Sequence, residues 1–331
     1  MKEGVKLPGI QNLKLRNYEG RSDLKNIVRV WNGCREVDGS ESPLTIEELE
    51  REFEHLTSCN LKKDILLVEK DNELIGCSML WWEDDSEGKR LFRYYAKIVP
   101  EFRGTGLTTS VVRWVEERGK EIAKENPVDK EKKFYIVIDQ KEEDLRRVLE
   151  SENYRLYRYG LKMKRPDLEN VPNCSLPDGI EIRAVEEEHL EKIRKAWNSV
   201  CRDLRSQVPI SKEDWEQWKK DGSFDPSLWS ICWKDDEVVG TCIGFIDKNE
   251  NRANVVERGH TEFISTKKDW RGKGIAKALL VDVLKKLKEA GMEEAVLGVD
   301  SENPSGAVHL YRKMGFEEVG KVIFYEKALK V

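Results

Sequence analysis

A chain of 331 residues is long for one hydrophobic core and suits two domains of about 150 residues each. Apolar residues make up 39% and charged residues 37%, the balance of a globular chain with an ionic surface, and the net charge of −5 lacks the basic excess of a nucleic-acid binder. No apolar run reaches the roughly 18 residues a membrane span needs, and the opening "MKEGVKLPGI" lacks the apolar core of a signal peptide. The expectation is therefore a cytoplasmic protein with neither nucleic acid nor membrane as partner.

In chain order, a short strand ("LKLRNY") precedes a helix carrying Trp31-Asn32. A second helix follows over "IEELEREFEHL", with Thr45 and Glu48 at capping-box spacing. The β-rich runs around Asp71-Asn72 predict a hairpin. A fourth strand ("LFRYYAKIV") leads to "RGTGLT" and a long helix. A fifth strand ("FYIVID"), another helix and a closing strand complete the set.

The chain then repeats itself. "RVWNGCRE" returns as "KAWNSVCRD", "ELIGCSML" as "EVVGTCIGF", and "PEFRGTGLTTSVV" as "KDWRGKGIAKALL". Trp31 and Trp197, Gly76 and Gly240, Arg103 and Arg271 are 166, 164 and 168 positions apart. Three landmarks in one order at a near-constant offset mean two copies of one unit. Ser211 and Asp214 repeat the cap spacing, and Asp235-Asp236 repeats the turn. Pro166, Pro172 and Pro177 punctuate the stretch between the copies. The expected domains are residues 1–165 and 180–331, joined by a linker over 166–179. Each is a mixed α/β unit of order β-α-α-β-β-β-α-β-α-β, its sheet mostly antiparallel and flanked by helices.

Seven cysteines without C-x-x-C spacing predict reduced, mainly buried thiols. His55, His189 and His309 show no metal spacing, so no metal is expected. The Trp-Asn pairs are read as helix packing rather than substrate contacts.

In the second copy, Ile275, Leu279, Val283 and Leu287 form a helical apolar stripe, and Gly272 and Gly274 sit at its entrance. Glycine before a helix start lets a ligand approach unpaired N–H groups at the positive end of the dipole, an arrangement suited to a phosphate. Arg271 and Lys273 add charge there. Neither G-x-G-x-x-G nor G-x-x-x-x-G-K-[ST] is present.

"RGKGIA" resembles the R/Q-x-x-G-x-G/A signature of the GNAT superfamily of N-acetyltransferases, with Arg271, Gly274 and Ala276 at the specified positions. "NPSGAVHLYRKMGF" is similar to that family's later motif through Asn303, Ala307, Tyr311, Gly315 and Phe316. The resemblance covers both copies, a tandem layout. It implies acetyl-CoA as co-substrate, held by Arg271, Gly272, Lys273, Gly274, Ile275 and Ala276 at the pyrophosphate, with Asn303 nearby. It implies main-chain pairing of Ile264, Ser265 and Thr266 with the pantetheine arm. It also implies a primary amine of a small molecule or peptide as acceptor, Tyr311 as general acid and a base on the fourth strand. His260 and Glu262 share one face of that strand, and either fits as base. The segment from Asp203 to Asp214 is expected near the acceptor entrance.

The first copy keeps Arg103, Gly104 and Gly106, a second cofactor cradle to consider. It has Thr108 where the signature calls for Gly or Ala. It carries Leu149, Phe92 and Tyr94 opposite Tyr311, His260 and Glu262, so the active site is expected in the second copy. The alternative is a non-catalytic tandem module that binds coenzyme A or a partner. The reading favours a monomer whose copies form an internal pseudo-dimer.

Overall fold

The computed structural model describes residues 7–56, 58–201, 209–303 and 305–330. The chain forms two compact units. The first runs through Tyr159 and takes in the segment from Lys321 onward; the second is Gly160–Gly320.

In the first unit, β1 (Leu13–Asn17) is followed by α1 (Leu24–Asp38), α2 (Ile46–His55) and the short α3 (Leu61–Asp64). Then come β2 (Ile65–Lys70), β3 (Glu73–Asp84), β4 (Arg90–Ile98), α4 (Leu107–Glu125), β5 (Lys132–Asp139) and α5 (Glu143–Ser151). The second unit begins within β6 (Arg155–Arg165) and continues with β7 (Glu181–Arg183), α6 (Leu190–Cys201) and α7 (Lys212–Trp218). Its remaining elements are β8 (Ser230–Lys234), β9 (Glu237–Phe245), α8 (Lys248–Asn254), β10 (Arg258–Thr266), α9 (Ile275–Glu289), β11 (Glu294–Asp300) and α10 (Ala307–Lys313). The last strand is β12 (Glu317–Ala328). The strand order is β1-β2-β3-β4-β5-β12 in the first unit and β6-β11-β10-β9-β8-β7 in the second. All neighbours are antiparallel except the pairs β4–β5 and β10–β11.

The closing strands are exchanged. The sequence reading gave each copy its own, yet Val322–Ala328 pairs with β5 of the first unit, while Gly160–Arg165 pairs with β11 of the second. Nor is the proline-rich stretch a loose tether. Leu168 is buried in the second unit's core, its N–H bonded to Glu293 O at 3.1 Å. Arg165 anchors the turn through Asp167 O at 2.8 Å and Asn170 O at 3.0 Å.

Local chemistry explains the elements. The Thr45 hydroxyl accepts from Glu48 N at 3.2 Å, and the Glu48 carboxylate accepts from Thr45 N at 2.9 Å, a complete capping box. Ser211 caps α7 through Asp214 N at 3.0 Å. Asp71 and Asn72, at φ 52° and 66°, make the tight hairpin turn that β-strand twist favours. The repeated asparagine has a role that sequence reading missed. The Asn32 amide bonds Leu44 O and N, both at 2.9 Å, and Asn198 bonds Ile210 O at 2.8 Å and N at 3.0 Å. Each asparagine thus fastens the segment that leads into the second helix.

The α9 stripe lies on a row of glycines. A Cβ on Gly240 would sit 2.9 Å from both Ile275 Cγ2 and Leu279 Cδ1, one on Gly244 2.8 Å from Val283 Cγ1, and one on Gly259 2.6 Å from Leu287 Cδ2. Without side chains there, the helix approaches β9 and β10 closely, and its first turn comes to rest at the end of β10. Cys34, Cys77, Cys201, Cys232 and Cys242 are buried, Cys59 and Cys174 partly so, and all seven are free thiols.

Candidate active site

Both parallel strand pairs come apart part-way along. In the second unit β10 pairs with β11 only from Arg258 to His260. Beyond it β11 continues against β6, and β10 continues against β9 alone. A seam opens there, with main-chain groups on its walls.

A β-bulge marks the β10 wall. Glu262 faces Ile243 and Ser265 faces Thr241, so Phe263 and Ile264 together oppose Cys242. Phe263 takes φ 50°. The Thr241 hydroxyl lies 2.9 Å from Phe263 O and 2.7 Å from Ser265 Oγ, fastening the bulge. No sequence motif announced it. A signal was present nonetheless: Thr241 stands where the first copy has Cys77, and β3–β4 there runs in unbroken register from Gly76 to Asp84.

Glu262 lies at the seam, where loss of water raises its carboxyl to about 7. The His260 charge and the Gly298 N–H of β11 act against that rise. His260 stacks on Phe245 with ring centroids 4.5 Å apart. Its Nε2 lies 3.1 Å from Glu250 Oε2, off the angle for a hydrogen bond. Glu250 is buried and pairs with Arg258 at 2.7 Å. Two residues predicted as equals thus differ. His260 faces a buried carboxylate, and Glu262 faces the seam.

Tyr311 on α10 is buried at 6% exposure. Burial first, then the neighbouring Cys242 and Glu262, raise its phenol above the usual range. Its hydroxyl has no hydrogen-bond partner among the described residues. Glu262, Tyr311 and the Cys242 thiol are thus within electrostatic reach of one another. Cys242 is fully buried and desolvation raises its thiol, so it stays protonated.

At the end of β10, Gly272 and Gly274 take φ 76° and 84°, and a Cβ on either would meet nothing within 4 Å. Gly274 starts α9 with no side-chain cap, and residues 271–274 are all exposed. This turn presents backbone to open space at a helix start, which fits a diphosphate. Arg271 Nε holds the turn to Thr266 O at 3.1 Å, and Lys273 Nζ lies 4.4 Å above the Trp270 ring. Ile264, Ser265 and Thr266 are partly buried, and Thr266 Oγ1 is a buried hydroxyl without a partner among the described residues. The Asn303 carboxamide accepts from Ser305 N at 2.9 Å and shapes the turn into α10. Of the segment expected at the acceptor entrance, residues 203–208 lie outside the described residues.

The corresponding turn of the first unit is exposed at 104–106 as well, but a carboxylate already engages it. Gly104 N donates to Asp144 Oδ1 at 3.0 Å, and the Thr108 hydroxyl donates to Asp144 Oδ2 at 2.6 Å. Arg103 Nη1 pairs with Asp38 at 2.6 Å. Leu149 and Phe92 are fully buried and carry no titratable group. Tyr94 is buried, and desolvation raises its phenol.

Comparison with known proteins agrees with this geometry. The profile of the acetyltransferase (GNAT) family matches residues 26–129 and 190–316. The chain is 27% identical over 170 residues to the mycothiol acetyltransferase of Thermobispora bispora, covering 50% of this chain and 56% of that protein. It is 25% identical over 169 residues to the same-named protein of Propionibacterium freudenreichii, covering 51% and 53%. It thus spans about half the length of these curated relatives. Among solved structures, a GCN5-related N-acetyltransferase from Sphaerobacter thermophilus is 26% identical, with TM-score 0.75 over 97% of both chains. A tandem GNAT protein from the clavulanic acid biosynthesis pathway shares the fold at TM-score 0.71 and 10% identity, over 96% of this chain and 99% of that one. With the family profile met in both units, the chain belongs to the GNAT family of acetyltransferases.

Proposed function

We propose that the second unit transfers an acetyl group from acetyl-CoA to the primary amine of a small molecule or peptide. The observation that carries this reading is the carboxyl of Glu262, raised to about 7 at the opened seam within reach of Tyr311. A base titrating near neutrality is matched to removing the proton of an amine. The bound thioester supplies the acyl group. The backbone at 272–276 holds the diphosphate, and the bulged strand at Ile264–Thr266 orients the pantetheine arm along the seam.

As the amine nitrogen bonds the acyl carbon and the carbon–sulfur bond breaks, Glu262 accepts the proton leaving nitrogen. Tyr311 donates one to sulfur, so the net transfer is one proton from amine to thiolate. Its raised phenol keeps that proton at neutral pH until the sulfur departs. His260 acts behind Glu262, its charge lowering the carboxyl. No covalent enzyme intermediate is needed, and Cys242, buried and protonated, takes no part.

The test is thiol release from acetyl-CoA with a panel of primary amines, followed by mass spectrometry of the acetylated product from a cell extract. Gly274→Val, a β-branched residue at positive φ in the cradle, should abolish coenzyme A binding by calorimetry while the circular dichroism spectrum is kept. Unchanged affinity in that variant removes the assignment.

A further inference from the structure

We infer that the first unit is closed to coenzyme A by its own side chain: Asp144 fills the anion cradle at Gly104–Thr108, so the protein binds one coenzyme A per chain. This rests on the reading that the second unit is the one that binds it.

Three independent features of the first unit support the closure. The first is the carboxylate itself. Gly104 and Gly106 take φ 73° and 88°, the same backbone as Gly272 and Gly274, so the cradle is formed. Yet Gly104 N already donates to Asp144 Oδ1 at 3.0 Å, and Asp144 Oδ2 receives the Thr108 hydroxyl at 2.6 Å. A diphosphate would have to displace a carboxylate of its own sign from those donors. Thr108, at 4% exposure, is covered, whereas its counterpart Ala276 is partly exposed.

The second feature is a neighbour beside the turn. A Cβ on Gly106 would lie 3.9 Å from Pro8 Cβ, whereas nothing stands within 4 Å of Gly274. The third is the cation. Arg103 Nη1 pairs with the buried Asp38 Oδ1 at 2.6 Å, whereas its Nε contact to Ile98 O at 2.9 Å only repeats that of Arg271 to Thr266 O. Asp38 also takes Lys97 at 2.8 Å.

The two units reach this difference by a short change in sequence. Aligning Tyr154 with Phe316 sets Asp144 opposite Gly306, and the offset of the glycine motif sets Thr108 opposite Ala276. Helix α5 already includes Asp144, whereas α10 starts one residue after Gly306. The earlier start places a carboxylate over the cradle. The second unit has a glycine and an alanine there, neither with a group that could fill it.

The experiment is a count of bound coenzyme A by native mass spectrometry and titration calorimetry on the full chain. Wild type should bind one and Gly274→Val none. Asp144→Gly with Thr108→Ala, which installs the second unit's residues, should bind two with unchanged turnover. Two equivalents on wild type, one retained by Gly274→Val, or one on the folded double variant each overturn the closure. No binding to wild type strikes the function proposed for the second unit, and this inference with it. Should the double variant not fold, hydrogen exchange of wild type with saturating coenzyme A decides. Slowing at 272–276 alone is expected, and slowing at 104–108 overturns the closure.

Discussion

Glu262 has a measurable cost as well as a use. Its carboxyl is raised, so the native state holds a proton that the unfolded chain releases. That contribution to stability is present below the ordinary glutamate range and is lost as pH rises through about 7. Glu262→Gln should therefore leave the melting temperature unchanged at pH 4 and raise it at pH 8. The gain would be on the order of 1–3 kcal/mol. The same substitution should erase the rise of kcat/KM with pH that is centred near 7. A variant that keeps that rise would place the base elsewhere. Tyr311→Phe removes a hydroxyl without a hydrogen-bond partner among the described residues, so unfolding should be little altered while kcat drops by about 10²-fold or more. The sequence offers both as candidates, Tyr311 through its resemblance to the family's later motif and Glu262 through strand alternation with His260. It left His260 and Glu262 equal, because what separates them is Glu250, which lies on α8, an insertion between β9 and β10 that no pattern ties to His260.

Among the elements, the helices and hairpins were the legible part. Caps, turn residues and apolar stripes are local signals, and Thr45, Asp71-Asn72 and the stripe from Ile275 to Leu287 act as they read. The bulge in β10 was marked only by Thr241 in place of the first copy's Cys77, because a strand with one extra residue keeps a β-rich composition. Two substitutions test these elements. Thr241→Val removes the hydroxyl that fastens the bulge, and the KM for acetyl-CoA should rise severalfold with little change in the circular dichroism spectrum. An unaltered KM would mean that the bulge holds itself. Gly244→Ala places a Cβ 2.6 Å from Leu228 O and 2.8 Å from Val283 Cγ1. Overpacking of this kind costs about 1–3 kcal/mol, to be read as a lower denaturant midpoint in urea unfolding.

At the scale of the molecule, the repeat announced two units but not how the chain completes them. The closing strands "RLYRYGLKMKR" and "EEVGKVIFYEKA" carry the same alternation of apolar and polar residues, so nothing local tells either which sheet to join. The exchange gives synthesis an order. When the ribosome has made the first 159 residues, the β5 edge still lacks β12, because that strand follows the whole second unit in the chain. The second unit has the opposite schedule, since its edge strand, at 160–165, emerges before the rest of it. The half made first is therefore completed after the other, and until then it presents an open β edge to other nascent chains. A chain ending at Gly320 would be held permanently at that stage. It should aggregate on refolding, and a synthetic peptide of residues 321–331 supplied in trans should suppress the aggregation.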